Sequence, residues 1–193
     1  ILNTDRQVLH AIQALTHNGY VVFDPSRMYY EQLPDPRYIG AYERAVFGAG
    51  ERIGGIYETS TAIENFQAGH ENFLIWATRL AYHWGDREQA SQLYARLAET
   101  YGHKHDRAER YSKPLSEFAF EEVKQNITAP DDARQMIGGL IQQAIMRGYV
   151  NGRPDIASQR LGDARRLHAF YDSEQGRKTL NASKDRMAMP PFG

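Results

Sequence analysis

The chain has no cysteine. That removes disulfides, thiolate nucleophiles and cysteine-ligated zinc or iron-sulfur centres, while leaving the redox compartment open. No apolar run approaches the ~20 residues of a membrane-spanning helix, so a soluble chain is expected. The compartment stays undetermined, with the cytoplasm favoured; since the chain opens at Ile1, the want of a leader carries no weight. Neither sign of charge prevails: 23 Lys and Arg against 24 Asp and Glu leave a formal net charge of -1, without the basic excess of a nucleic-acid binder. Catalytic signatures are missing too. There is no nucleophile elbow, no Walker loop and no Glu-x-x-His, the helical spacing a di-iron carboxylate bundle needs. Strand signals are equally scarce. Tyr20-Val21-Val22-Phe23, closed by Asp24-Pro25, is the best of them, so at most one short strand is expected near residues 20–23.

What the chain does have is helical periodicity. Between Glu71 and Gly102, Phe73, Trp76, Ala77, Leu80 and Trp84 mark one apolar stripe, with Glu71 and Arg79 off it. Gly85-Asp86 interrupts the run where a left-handed residue and a new cap are both useful. A second stripe follows through Ala90, Leu93, Tyr94, Leu97, Ala98 and Tyr101 and stops at Gly102. Two such helices joined by a tight turn pack antiparallel, because neither buries its stripe alone.

Gly85-Asp86, Ala90 and Tyr94 stand where tetratricopeptide repeats carry their turn, small residue and aromatic, so this stretch resembles one such repeat. It departs from the motif at Thr78, Ala81, Leu97 and Gly102. The resemblance implies helix stacking and partner binding, and no particular reaction.

Other segments follow the same rule. Residues 5–18 read as a helix capped by Thr4 or Asp5, with Val8, Leu9, Ala11, Ile12 and Leu15 inward. Residues 24–37 carry three prolines and read as an irregular connector. Tyr42, Val46, Ala49, Ile53, Ile56 and Ile63 continue from Ile39 as one long helix or two collinear ones. Gly48, Gly50, Gly54 and Gly55 inside it call for compensation: a close helix contact at Gly50-x-x-x-Gly54, or a dinucleotide-type phosphate loop across residues 45–54. The second is disfavoured because no parallel strand follows. A second hairpin is expected from Leu115, Phe118, Ala119 and Val123, with Glu117, Glu121 and Glu122 outside, and from the helix Asp131-Asp132 caps, which ends at Gly148. Asn151-Gly152-Arg153-Pro154 turns the chain into a last helix bearing Arg160, Arg165 and Arg166.

The reading is an all-α domain over residues 1–175, built of seven or eight helices in stacked antiparallel hairpins, with an extended C-terminal arm over residues 176–193. Its expected role is that of a non-catalytic scaffold or assembly subunit, holding protein partners or further copies through Tyr29, Tyr30, Arg160, Arg165, Arg166, Met189 and Phe192. No catalytic residue, cofactor or metal ligand is assigned. His103-Lys104-His105-Asp106 reads as a polar turn, and the sequons at Asn126 and Asn181 are assigned no sugar. Two alternatives stand beside the scaffold. One is a helical metal or carboxylate enzyme, in which Glu58, Glu64, His70 and His83 would have to converge. The other is a nucleic-acid binder using the last helix.

Overall fold

A computed structural model describes residues 2–25, 28–56, 60–125, 127, 130–173 and 192. Among them are eight α-helices: α1 (Leu2–Asn18), α2 (Ile39–Ile56), α3 (Ser60–Trp84), α4 (Arg87–Tyr101), α5 (His105–Tyr111), α6 (Leu115–Gln125), α7 (Pro130–Gln143) and α8 (Pro154–Asp172). Strands β1 (Tyr20–Asp24) and β2 (Tyr29–Leu33), a 3-10 turn (Pro36–Tyr38) and a π-helical turn (Ala144–Tyr149) complete the described elements. The protein is all-α, and no described helix is long and apolar enough to cross a membrane. The chain divides into two compact units, Ile1–Leu115 and Ser116–Gly193.

In the first unit each helix packs on its neighbour in sequence, α1 on α2, α2 on α3, α3 on α4 and α4 on α5. The α3–α4 turn forms as its residues require. Gly85 takes φ 83°, and the N–H groups of Gly85 and Asp86 return to the carbonyls of Tyr82 and Ala81. The Asp86 carboxylate then accepts the Gln89 N–H at 3.0 Å, a cap worth about 1 kcal/mol. His70 meets Tyr101 and Gln67 meets Lys104, so the two helices run antiparallel.

Burial on α3 is wider than one stripe. Phe73 and Ala77 are buried as expected, but so are Leu74, Thr78, Ala81 and Tyr82, while Trp76 and Leu80 are half-buried. The reason is position: with α2 and α4 both against it, the helix has two faces to fill.

The expected collinear continuation of α2 into α3 is corrected. α2 ends at Ile56, just after Gly54-Gly55, and α3 begins at Ser60. The pairs Tyr42–Phe73 and Glu43–His70 show that α2 and α3 lie antiparallel. Residues 45–55 are helical throughout, which excludes a strand and a dinucleotide loop there. Close contact does not explain Gly50 either, since a Cβ built on it meets nothing within 4 Å. The side chains of Ile53, Ile56 and Ile63, and the surroundings of Gly54, lie outside the described residues.

Two further expectations change. α1 turns Asp5, Leu9 and Thr16 inward and leaves Val8, Ala11 and Leu15 exposed. Polar ties set that rotation: Gln13 donates to the Tyr42 hydroxyl at 2.9 Å, and Asp35 N–H donates to the Thr16 carbonyl at 2.8 Å. The connector also contains a second strand, because its prolines flank Tyr29–Leu33 and leave those backbone donors free. β1 and β2 pair antiparallel, with Tyr20 opposite Leu33 and Asp24 opposite Tyr29.

In the second unit α7 packs most closely on α8, rather than on α6. Phe120, Val123 and Ile127 meet Ala133, Ile137 and Leu140 and, from α8, Ala164, Leu167 and Tyr171 in one apolar core. α7 stops at Gln143 and its last turn widens into the π-helical segment. There Gly148 allows the chain to touch α8: a Cβ at this position would lie 2.5 Å from the Ala157 Cβ and 2.6 Å from its Cα. Gly152, at φ 66°, and Pro154 at the first turn of α8 complete the reversal.

Candidate functional site

The residues singled out in the sequence fall in different settings. Tyr29 belongs to β2, paired with Asp24, and its side chain lies outside the described residues. Tyr30 is 66 % exposed, next to Met28 at 79 % and Val21 at 62 %. Tyr20, Val22 and Phe23 are exposed as well, so both faces of this two-stranded hairpin carry open apolar side chains; the Phe23 and Tyr30 rings lie 4.7 Å apart. Met189 lies outside the described residues.

Arg160 is corrected as a surface residue. It is fully buried, with its Nη1 3.8 Å from the Asp163 carboxylate one turn on, so it cannot meet a phosphate or a partner. Arg165 and Arg166 are exposed and lie over the rings of Phe192 and Phe120, at 5.7 and 4.0 Å. Phe192 itself stands 5.6 Å from the His168 ring, on α8 of its own chain.

The histidine and carboxylate groups converge, though not as the sequence suggested. Glu64 is exposed and the side chain of Glu58 lies outside the described residues. Glu71, placed off its apolar stripe by sequence, is buried, as are Glu43 and, in the second unit, Glu122, which was expected outside. Between α2, α3 and α4, His70 is held by Tyr101, whose hydroxyl lies 2.8 Å from Nδ1 and donates to the Gln67 carbonyl at 3.0 Å. That hydroxyl has one proton, already given to Gln67, so it accepts from His70 Nδ1–H. Nε2 faces Glu43 Oε1 at 3.8 Å, beyond hydrogen-bonding distance, and neither atom has a hydrogen-bond partner. The other Glu43 oxygen pairs with Arg96.

Next to this cluster Glu71 accepts the Tyr111 hydroxyl and faces Arg107 Nε, each at 2.5 Å, which ties α3 to α5. The electrostatic consequences follow from burial. Tyr101 and Tyr111 titrate above the usual phenol range, through desolvation first and the neighbouring Glu71 carboxylate second. Burial pushes Tyr42 up to about 12. Burial also works to raise Glu43, but His70 and Arg96 outweigh it and hold the carboxyl below its ordinary value.

A cavity of about 450 Å³ opens beside this cluster. Val46, Phe47 and Phe66 supply its apolar wall, His70 and Tyr101 its polar one, and Glu51 and Lys104 also line it. No group of three or more candidate metal ligands occurs among the described residues.

Sequence reasoning missed Glu43 and Tyr101 as partners of His70. A signal was present: Glu43 follows the buried Tyr42 and lies one turn before Val46, at the margin of the stripe. Compared with protein-family models, curated proteins and solved structures, the chain matches none of them.

Proposed function

We propose that this protein is a non-catalytic assembly subunit that docks on a protein partner through the β1–β2 hairpin. The observation that carries this reading is the hairpin's composition: Val21, Met28 and Tyr30 are each more than half exposed, in a sheet of two strands. A pair of strands is marginal by itself, and its outer edges present backbone N–H and C=O groups that accept another strand. An extended segment of the partner, with alternating apolar side chains, would extend the sheet and cover that surface. The outer stripe of α1, with Val8, Ala11 and Leu15 exposed, adds apolar surface in the same unit. The likeness of α3–α4 to a tetratricopeptide repeat agrees with a partner-binding role.

The nucleic-acid alternative loses support, since Arg160 is buried and the exposed Arg165 and Arg166 stand over aromatic rings. The test is a photo-reactive amino acid at position 21, irradiated in native extract. The expected result is a cross-link to an extended segment of another protein, suppressed by excess unlabelled chain and abolished by Tyr30→Lys. A cross-link that persists with Tyr30→Lys, or joins only two copies of this chain, overturns the reading.

A further inference from the structure

We propose that α8 carries a docking seat for the aromatic ring of the chain's own arm, that Phe192 closes it in cis, and that the vacated seat takes the same segment supplied from outside. The site lies wholly in the second unit and does not depend on the hairpin of the first. Three observations converge on it. First, Phe192 stands well beyond the end of α8 at Asp172, yet it is half-buried and packs against the core of the second unit, as Met136, Ile141 and Phe170 do. Burying a ring there is a gain that only docking on α8 provides.

Secondly, the seat suits an aromatic ring rather than any apolar side chain. Arg165 and His168 lie three residues apart and so share one face of α8. The Arg165 guanidinium carbon is 5.7 Å from the Phe192 ring centre, and the His168 ring meets it edge-on at 5.6 Å and 74°. An aliphatic residue would keep the apolar contact and lose both ring interactions.

Thirdly, the seat is framed by α8 itself. Ala164 and Leu167, the neighbours of Arg165 and His168, are fully buried in the core, and His168 Nδ1 lies 3.4 Å from the Asp172 carboxylate one turn on. Removing Phe192 therefore leaves the frame in place, ready for another ring. In sequence, Pro190 and Pro191 precede that ring, and proline has little chain entropy left to lose on docking. Because Phe192 is tethered to α8, its effective concentration at the seat is on the order of millimolar, so it holds the site against a weak competitor.

The full chain and its Phe192→Ala variant would be titrated with a peptide of residues 187–193 and followed by 1H–15N NMR. Saturable binding to Phe192→Ala is expected, with the amides of Arg165, His168 and Phe170 moving. Wild type should bind at least tenfold more weakly, since the tethered ring competes. Adding Arg165→Ala to Phe192→Ala should weaken the peptide about two- to fivefold, through loss of the cation–ring contact. Phe192→Leu, which keeps the apolar contact and so protects the fold, should give an affinity between those of wild type and Phe192→Ala.

Absence of saturable binding by Phe192→Ala with its helical signal unchanged, or equal affinity in Phe192→Ala and wild type, would overturn the proposal. So would wild-type behaviour in Phe192→Leu, or undiminished binding of a peptide that itself carries Phe192→Ala.

Discussion

The two units bury polar groups in different ways, and the difference bears on what fixes helix register. In Ser116–Gly193 the apolar core is formed by α6, α7 and α8, and the buried charges are Glu122 on α6 and Arg160 and Asp163 on α8. Register there rests on shape, most sharply where Gly148 meets Ala157. In Ile1–Leu115, polar side chains connect different helices, all of them buried or half-buried except the exposed Arg96: Gln13 with Tyr42, Glu43 with His70 and Arg96, and Glu71 with Tyr111 and Arg107. Such groups are costly to misalign, because a buried donor or acceptor without its partner loses about 1–3 kcal/mol. Hydrogen bonds and ion pairs thus help to align the first unit, and steric fit aligns the apolar core of the second.

The strongest way to break the second arrangement is to empty it. Leu167 is fully buried among Phe120, Ile137 and Ala164, so Leu167→Ala removes contacts and leaves a cavity. A loss of about 3 kcal/mol in urea unfolding is expected. A loss below about 1 kcal/mol would mean that the core collapses around the gap and that shape does not fix it. Overfilling comes next. Gly148→Ala should cost about 2 kcal/mol. Ala157→Gly should not restore it, because the added methyl would also lie 2.6 Å from the Ala157 Cα and 2.7 Å from its N, which the second change leaves in place. Full rescue by Ala157→Gly would show that only two methyl groups compete.

For the first unit the corresponding probe is pH. The Glu43 carboxyl titrates below its ordinary value in the folded chain, so the folded state binds fewer protons than the unfolded one as acid is added. Its contribution is fully present above the usual glutamate range, near about 4.3, and is lost as pH falls through the lowered value. Glu43→Gln should lower stability at neutral pH by about 1 kcal/mol and flatten the acid limb of a plot of stability against pH. The alkaline limb has the opposite sign. Tyr42, raised to about 12, favours the folded state below the ordinary phenol range, and that advantage fades as pH rises towards 12. An acid limb unchanged by Glu43→Gln would remove the carboxylate from the alignment argument.

The same contrast explains what could be read from sequence. Periodicity marked the elements that bury through shape: Ala90, Leu93, Leu97 and Tyr101 on α4, and Phe118, Ala119 and Val123 on α6, are buried as their spacing requires. Turn chemistry marked Gly85-Asp86 and Gly152-Arg153-Pro154 for equally local reasons. Glu43, Glu71 and His70 could not be assigned this way. A carboxylate is exposed by default, and whether it turns inward depends on Arg96, Tyr111 or Arg107 arriving from 36 to 53 residues away. α1 was misrotated for a related reason, since its inward face includes Asp5 and Thr16, which a hydrophobic pattern does not count. The candidate cavity was therefore hidden even though most of its helical frame was visible.

The smallest expected effect tests whether glycine has one meaning in both units. Gly138 lies inside α7, is exposed, and a Cβ there meets nothing within 4 Å; Gly50 inside α2 is equally unopposed. Neither has a positive φ, so each carries only the entropic cost of glycine in a helix. Gly138→Ala and Gly50→Ala should each raise stability by about 0.8 kcal/mol, in contrast with the loss at Gly148. A gain at Gly138 with a loss at Gly50 would mean that α2 needs close approach at that turn after all. The open space next to His70 would then be smaller than its lining indicates.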